Sequence, residues 1–183
     1  MQDLSLHILD IAENSINADA KTIEIEVIED LEKDVLIIEI TDDGKGMDRA
    51  FAEKATDPFV TTRTERRVGL GLSLFAEAAR MSNGELTIHS NPQGGTKVRA
   101  TFQHSHIDRK PLGDLSQTIL TLVVGNPEID LIYVHKKNKH KYCLDTRTIK
   151  AQLKNASINL PEWIRIIKGN LKDMHKKLIG AEE

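Results

Sequence analysis

Cysteine is nearly absent. Cys143 stands alone in 183 residues, so no internal disulfide forms and a reducing compartment is expected. Its place in an alternating apolar and polar stretch predicts a packed or half-exposed thiol. No apolar run approaches the roughly 20 residues needed to cross a bilayer; the longest, residues 119–124, is already broken by Thr121. The chain does not open with a basic segment followed by an apolar core; Asp3 and Asp10 stand there instead. No signal peptide is therefore expected, and the reading is a cytoplasmic protein with no membrane partner. Excess positive charge is missing too. The 25 Lys and Arg against 28 Asp and Glu leave a formal net charge of -3, which argues against a nucleic-acid partner. There are no internal repeats and no low-complexity segments. What remains, 39% hydrophobic and 29% charged residues, is the composition of an ordinary globular domain. The length holds one domain, or one with a smaller appendage.

Periodicity supplies the element order. Over residues 4–18, Leu4, Ile8, Leu9, Ile11, Ala12 and Ile16 cover one side of a helix. His7, Asp10, Asn14 and Asn17, spaced by three, four and three, form a polar stripe on the other. Residues 21–29 alternate Ile23, Ile25 and Val27 against Glu24 and Glu26, a strand signal, and the more continuously apolar residues 35–40 predict a more buried strand. Residues 41–47 read as a loop, 48–54 as a short helix, 56–67 as irregular and 69–82 as a second long helix. Residues 84–89 and 96–102 read as two further strands joined by the turn Asn91-Pro92-Gln93-Gly94-Gly95. This order predicts an α+β fold, a two-layer sandwich whose mixed sheet is covered by helices on one face.

Residues 104–112 read as a boundary between a domain of 1–104 and a small C-terminal α/β region of 105–183. In the latter, residues 114–124, 146–154 and 161–178 read as helices, with Pro161 at a first-turn position. Residues 129–134 and 141–144 read as a hairpin around a basic turn, 135–141, which is either solvated or a contact for an acidic partner. Trp163 either packs on that hairpin or lines a partner groove.

Four signals carry chemistry. On the first helix, the Asn14 amide oxygen suits a Mg²⁺ whose other ligands are nucleotide phosphates and water. Asp10, one turn away, is the candidate general base; a solvent-facing polar stripe accounts for the same spacing. At the end of the second strand comes Thr41-Asp42-Asp43-Gly44-Lys45-Gly46-Met47. The Asp42 carboxylate is placed to accept from an exocyclic amine, and Gly44 and Gly46 let the backbone approach a flat ring; a plain Asp-Gly turn is the simpler reading. Third is Asp57-Pro58-Phe59-Val60-Thr61-Thr62-Arg63, in which Phe59 anchors a loop and Thr61, Thr62 and Arg63 reach phosphate oxygens. Fourth is Val68-Gly69-Leu70-Gly71-Leu72-Ser73, two glycines opening a helix whose free amides face an anion. No Gly-Lys-Ser/Thr follows and a third glycine is missing, so this is neither a P-loop nor a dinucleotide fingerprint.

In this order the four boxes resemble those of the ATPase superfamily named after gyrase, Hsp90, histidine kinases and MutL. The resemblance runs over about residues 4–102. The segment from Glu13 to Ile25 is similar to MutL ATPases; Asp57 to Arg63, Gly69 to Ser73 and Gly94-Gly95-Thr96 are similar to histidine-kinase catalytic domains. It implies a Bergerat-type ATP-binding fold with ATP and Mg²⁺ as cofactors and Asn14 as the Mg²⁺ ligand. It further implies Asp42 as the adenine-reading carboxylate, Gly44, Gly46 and Met47 lining the adenine pocket, residues 61–71 as a lid, and Thr96 near the adenine. Asn17, Leu70 and Leu72 belong to the same boxes. Asp10 stands where MutL- and gyrase-like members carry Glu and histidine kinases Asn or His. Arg67 replaces the first glycine of the fuller glycine-rich box. His7 is expected as a surface or pocket-rim histidine, and the expectation is a domain without a phosphoacceptor helix of its own. The expected function is a regulatory ATPase or a protein kinase acting on a partner protein, with a homodimer allowed. A non-catalytic nucleotide-gated module or a MutL-like repair ATPase is the alternative.

Overall fold

The computed structural model describes residues 2–55, 70–152, 158 and 160–179. The expected loop at 56–67, with Phe59, Thr61, Thr62 and Arg63, and also Gly69, lie outside the described residues. The order is α1 (Leu4–Asn17), β1 (Thr22–Asp30), β2 (Val35–Asp42), α2 (Arg49–Lys54), α3 (Leu70–Met81), β3 (Leu86–Ser90) and β4 (Thr96–Gln103). It continues with α4 (Leu115–Gly125), β5 (Asp130–Lys137), β6 (His140–Asp145), α5 (Thr146–Gln152) and α6 (Pro161–Ile179). The strands form one six-stranded sheet ordered β3-β4-β2-β1-β5-β6. It is mixed, as expected: β1 and β5 are parallel and the other neighbours antiparallel.

Alternation along each strand puts one face under the helices. Ile23, Ile25 and Val27 of β1, Leu36, Ile38 and Ile40 of β2, and Val98, Ala100 and Phe102 of β4 share a core with Leu4 and Ile8 of α1, Phe75 of α3, Ile119 of α4 and Ile167 of α6. The other face is charged: Glu39 pairs with Lys97 at 2.6 Å and Arg99 at 3.1 Å, and Glu26 with Lys136 at 2.5 Å. One expectation holds here and one changes. The apolar run in β2 is the more covered of the two strands, with no exposed residue, though Ile37 lies only half-buried on the charged face. And β2 runs past Ile40: Thr41 and Asp42, expected in a loop, pair with Lys97 and Thr96.

The C-terminal region contributes the outer two strands of the same sheet. β5 lies beside β1 from Thr22↔Asp130 to Glu29↔Lys137, and α4 packs between α1 and α6. The segment leading into it is stitched to the start of α1, where the N–H groups of Leu4 and Ser5 donate to the carbonyls of Pro111 and Leu112 at 2.9 Å each. The expected basic turn is shorter than read: His135, Lys136 and Lys137 belong to β5 and Asn138 takes the left-handed turn conformation, φ 52°. His135 is buried, not solvated, and Cys143 is exposed rather than packed or half-exposed. Among the described residues no helix is long and apolar enough to cross a membrane.

Candidate functional site

Asp42 ends β2 on the buried side of the sheet, and the residue is only 8% exposed. Three donors hold it. Ser15 Oγ of α1 donates to Oδ2 at 2.6 Å, and the backbone N–H groups of Gly44 and Thr96 donate to Oδ1 at 2.9 and 3.2 Å. A carboxylate accepts about four hydrogen bonds, so one lone pair, on Oδ2, is left for an outside donor. Ser15 follows Asn14 in α1, so the Ser15 bond fixes the carboxylate of β2 against the C-terminal half of that helix.

The loop after Asp42 is wedged between α1 and the β3–β4 turn. Lys45 N–H donates to the Ala18 carbonyl at 2.9 Å, and Gln93 N–H donates to the Lys45 carbonyl at 2.8 Å. Met47 N–H donates to Ser90 Oγ at 2.8 Å, and that hydroxyl lies 2.9 Å from Thr96 Oγ1. At two points a left-handed backbone and a backbone overlap together demand glycine. Gly46 has φ 63°, and a Cβ there would stand 2.0 Å from the Asn91 carbonyl oxygen; Gly95 has φ 74°, and its Cβ would stand 1.9 Å from the Asp42 carbonyl oxygen. The second carboxylate of the pair, Asp43, accepts from the N–H groups of Lys21 and Thr22 at 2.7 and 2.9 Å and pins the start of β1. Burial pushes its carboxyl up, but the backbone donors outweigh that and hold it below the ordinary range.

Asp10 of the polar stripe on α1 faces α3 rather than open solvent. A Cβ on Gly71 would lie 1.8 Å from Asp10 Oδ2, so the carboxylate rests against the first turn of α3 because that residue has no side chain. The position is also electrostatically favourable, at the positive end of the α3 dipole. Asp10 and Asn14 are half-buried, and Asn17, the last residue of α1, is exposed. His7 departs from expectation. It is fully buried and stacks on Phe75, ring centroids 5.2 Å apart, with Lys110 Nζ 3.5 Å from Nε2.

A protein-family model described as the histidine kinase-, DNA gyrase B- and HSP90-like ATPase matches residues 2–106. The chain belongs to this family. Among its relatives, the tetrathionate sensor histidine kinase TtrS of Salmonella typhimurium is 35% identical over 96 residues, 50% of this chain and 16% of that protein. The autoinducer 2 sensor kinase/phosphatase LuxQ of Vibrio harveyi is 27% identical over 128 residues, 66% of this chain and 15% of that protein. The chain thus spans less than a fifth of these curated relatives. Of solved structures, the Aquifex aeolicus MutL ATPase domain complexed with ADP aligns with a TM-score of 0.51 at 16% identity, over 77% of this chain and 63% of that one; that likeness is one of fold.

In this histidine kinase-like ATPase the fold gathers Asp42, Gly44, Gly46, Met47 and Thr96 around the end of β2, and it sets Asp10 of α1 against Gly71 of α3, with Asn14 one turn further along α1. Leu72 is half-buried and packs on the core; Leu70 opens α3. Two residues of this end escaped sequence reasoning: Ser15, which lies off the Asp10–Asn14 stripe, and Ser90. A buried hydroxyl shows its role only once its partner is known.

Burial lowers the His7 imidazole to about 4, with Lys110 and the N-terminus adding to the effect and Asp3 opposing it. The folded value lies below the unfolded 6.5, so the unfolded chain binds the proton first as pH falls. Stability is therefore lost between pH 6.5 and about 4. Replacing His7 with Leu is expected to flatten that part of the stability curve, measured by urea unfolding at stepped pH. Parallel curves for the two proteins would contradict this.

Proposed function

We propose that this ATPase domain binds Mg·ATP at the Asp42 end of the sheet and passes the γ-phosphoryl group to a side chain of a partner protein. The observation that carries the reading is the Asp42 carboxylate, held by three protein donors with one lone pair left over, beside the α1 stripe and the first turn of α3. An adenine amine is a donor of the right kind for that lone pair. Gly44, Gly46, Met47 and Thr96 line the base, and Asn14, Asn17 and the first turn of α3 face the phosphates. From the sequence, Thr61, Thr62, Arg63 and Gly69 belong to the same phosphate-binding set.

The metal reading fits the donor set. Among the described residues there is no group of three His, Cys, Asp or Glu able to hold a metal by itself. A single amide ligand such as Asn14 suits Mg²⁺ that arrives with the nucleotide, where it neutralises phosphate charge when bound. In the transfer, the bond between the γ-phosphorus and the β–γ bridging oxygen breaks, ADP leaves with that electron pair, and the acceptor atom forms the new bond. Asp10 accepts the proton the acceptor gives up; water is the competing acceptor. The kinase reading, rather than a repair one, is supported by the sensor kinases among the relatives, whereas the MutL neighbour supports the fold.

The test is γ-labelled ATP incubated with the protein alone and with cell extract. Label on a second protein is expected, with Asp10→Asn slowing its appearance on the order of a hundredfold or more, the usual size of a general-base effect. Binding without transfer or phosphate release in either setting would turn the reading towards a nucleotide-gated interaction module.

A further inference from the structure

At the other end of the sheet from Asp42 lies an open-sided cavity of about 670 Å³ beneath α4 and α6. Its floor is reached along β1: Ile23 pairs with Asp42, and Glu29, six residues on, lines the cavity. At ~3.3 Å per residue the two sites stand about 20 Å apart. We infer that this cavity is a second ligand site, for a small amphipath with one carboxylate headgroup and an unbranched apolar tail.

The walls favour a tail. Leu112, Leu120, Leu171, Met174 and Leu178 line the cavity, and an unbranched thioether among leucines adapts to a flexible chain. Cavities of ~300–1,000 Å³ with mostly apolar walls and a few charged groups are the usual form of small-molecule sites.

The charges favour an anion. The two acidic side chains in the lining are already engaged within the protein. Glu29 Oε1 accepts from His135 Nε2 at 2.9 Å and Oε2 from His104 Nε2 at 3.0 Å. With Nε2–H donating, His135 Nδ1 accepts from the Tyr133 hydroxyl at 3.0 Å, which closes the buried chain on itself. Burial pushes the Glu29 carboxyl up, but the two imidazole hydrogen bonds outweigh it and hold the group at about 2. Asp114 caps α4 by accepting from Gln117 N–H at 2.8 Å. Against these stand Lys168 and Lys172, one turn apart on the same face of α6, both lining the cavity and both solvent-exposed, and neither ion-paired among the described residues. A carboxylate between two such ammonium groups keeps its head in the wet mouth and its tail among the leucines.

The probe is sodium decanoate, titrated calorimetrically into the full chain with Mg·ATP present. One-to-one binding is expected, with acetate silent and decyltrimethylammonium at least about tenfold weaker. Lys168→Gln with Lys172→Gln should weaken decanoate about tenfold, the size of two partly exposed ion pairs, while ATP affinity stays unchanged. Leu120→Trp should weaken decanoate by obstructing the tail-binding wall of the cavity. Equal affinity for the cationic amphipath, indifference to the lysine pair, or displacement by ATP would overturn the assignment. So would sedimentation with phosphatidylglycerol vesicles without uptake of monomeric decanoate, which would make the lysines a lipid-surface contact.

Discussion

Asp42→Asn is expected to weaken ATP binding on the order of a hundredfold while leaving the protein folded. The Oδ1 position receives two backbone N–H donors, from Gly44 and Thr96, so the asparagine oxygen must take that place. Its amide nitrogen then occupies the Oδ2 position, where it donates to Ser15 Oγ and turns its second hydrogen towards the ligand. An adenine amine would meet a donor instead of an acceptor. A hydrogen bond to a charged group contributes about 1.5–3 kcal/mol, and an unmade one leaves both donors unsatisfied. The fold loses little, since shape and all three internal hydrogen bonds persist. Calorimetric titration with ATP, alongside urea unfolding, separates the two effects; equal ATP affinity in a folded variant would remove Asp42 from the base-reading role.

Gly95→Ala is expected to be the most damaging single-methyl change at this end of the sheet. The residue lies at φ 74°, and the added Cβ would stand 1.9 Å from the carbonyl oxygen and 2.8 Å from the carbonyl carbon of Asp42. Neither is a flexible tip, so β4 must back away from β2, with loss of the Thr96 N–H bond to Asp42. Left-handed strain in a non-glycine residue costs about 1 kcal/mol or more, and the backbone overlap adds to it. A total of ~3 kcal/mol lowers Tm on the order of 10 °C for a chain of this size, and ATP affinity should fall with it. The neighbouring Gly94→Ala is the control. Its Cβ comes no nearer than 3.2 Å, to the Asn91 side chain, so a shift of a few degrees or less is expected. Scanning calorimetry of both variants decides it; similar midpoints would show that the turn tolerates displacement.

Much of this end of the molecule was legible in the sequence because its signals are local. An apolar strand running into Asp42-Asp43-Gly44 marks a strand end with a placed carboxylate, and the spacing of Asp10 and Asn14 puts both on one face of a helix. Contacts between distant segments were not legible. The start of the stripe on α1 looks solvent-facing until α3 is laid over it, which is why His7 reads as a surface or pocket-rim residue and is found stacked on Phe75. Ser15 reads as a helix residue of no consequence, since only the arrival of β2 gives its hydroxyl a partner. The parallel pairing of β1 with β5 joins segments more than a hundred residues apart, and hydrophobic alternation states which face of a strand is buried without naming its neighbour. His135 illustrates the same limit: in a run of lysines it reads as part of a solvated turn, yet the alternation of β5 sends it inward to Glu29.

The central claim is that one purine nucleotide binds where the α1 amide, the β2 carboxylate and the first turn of α3 meet. The most direct measurement is a crystal structure of the chain with magnesium and a non-hydrolysable ATP analogue. The adenine amine should lie within hydrogen-bond distance of Asp42 Oδ2, with the metal against the Asn14 side-chain oxygen. Nucleotide density elsewhere, or a base whose amine faces away from Asp42, would contradict it.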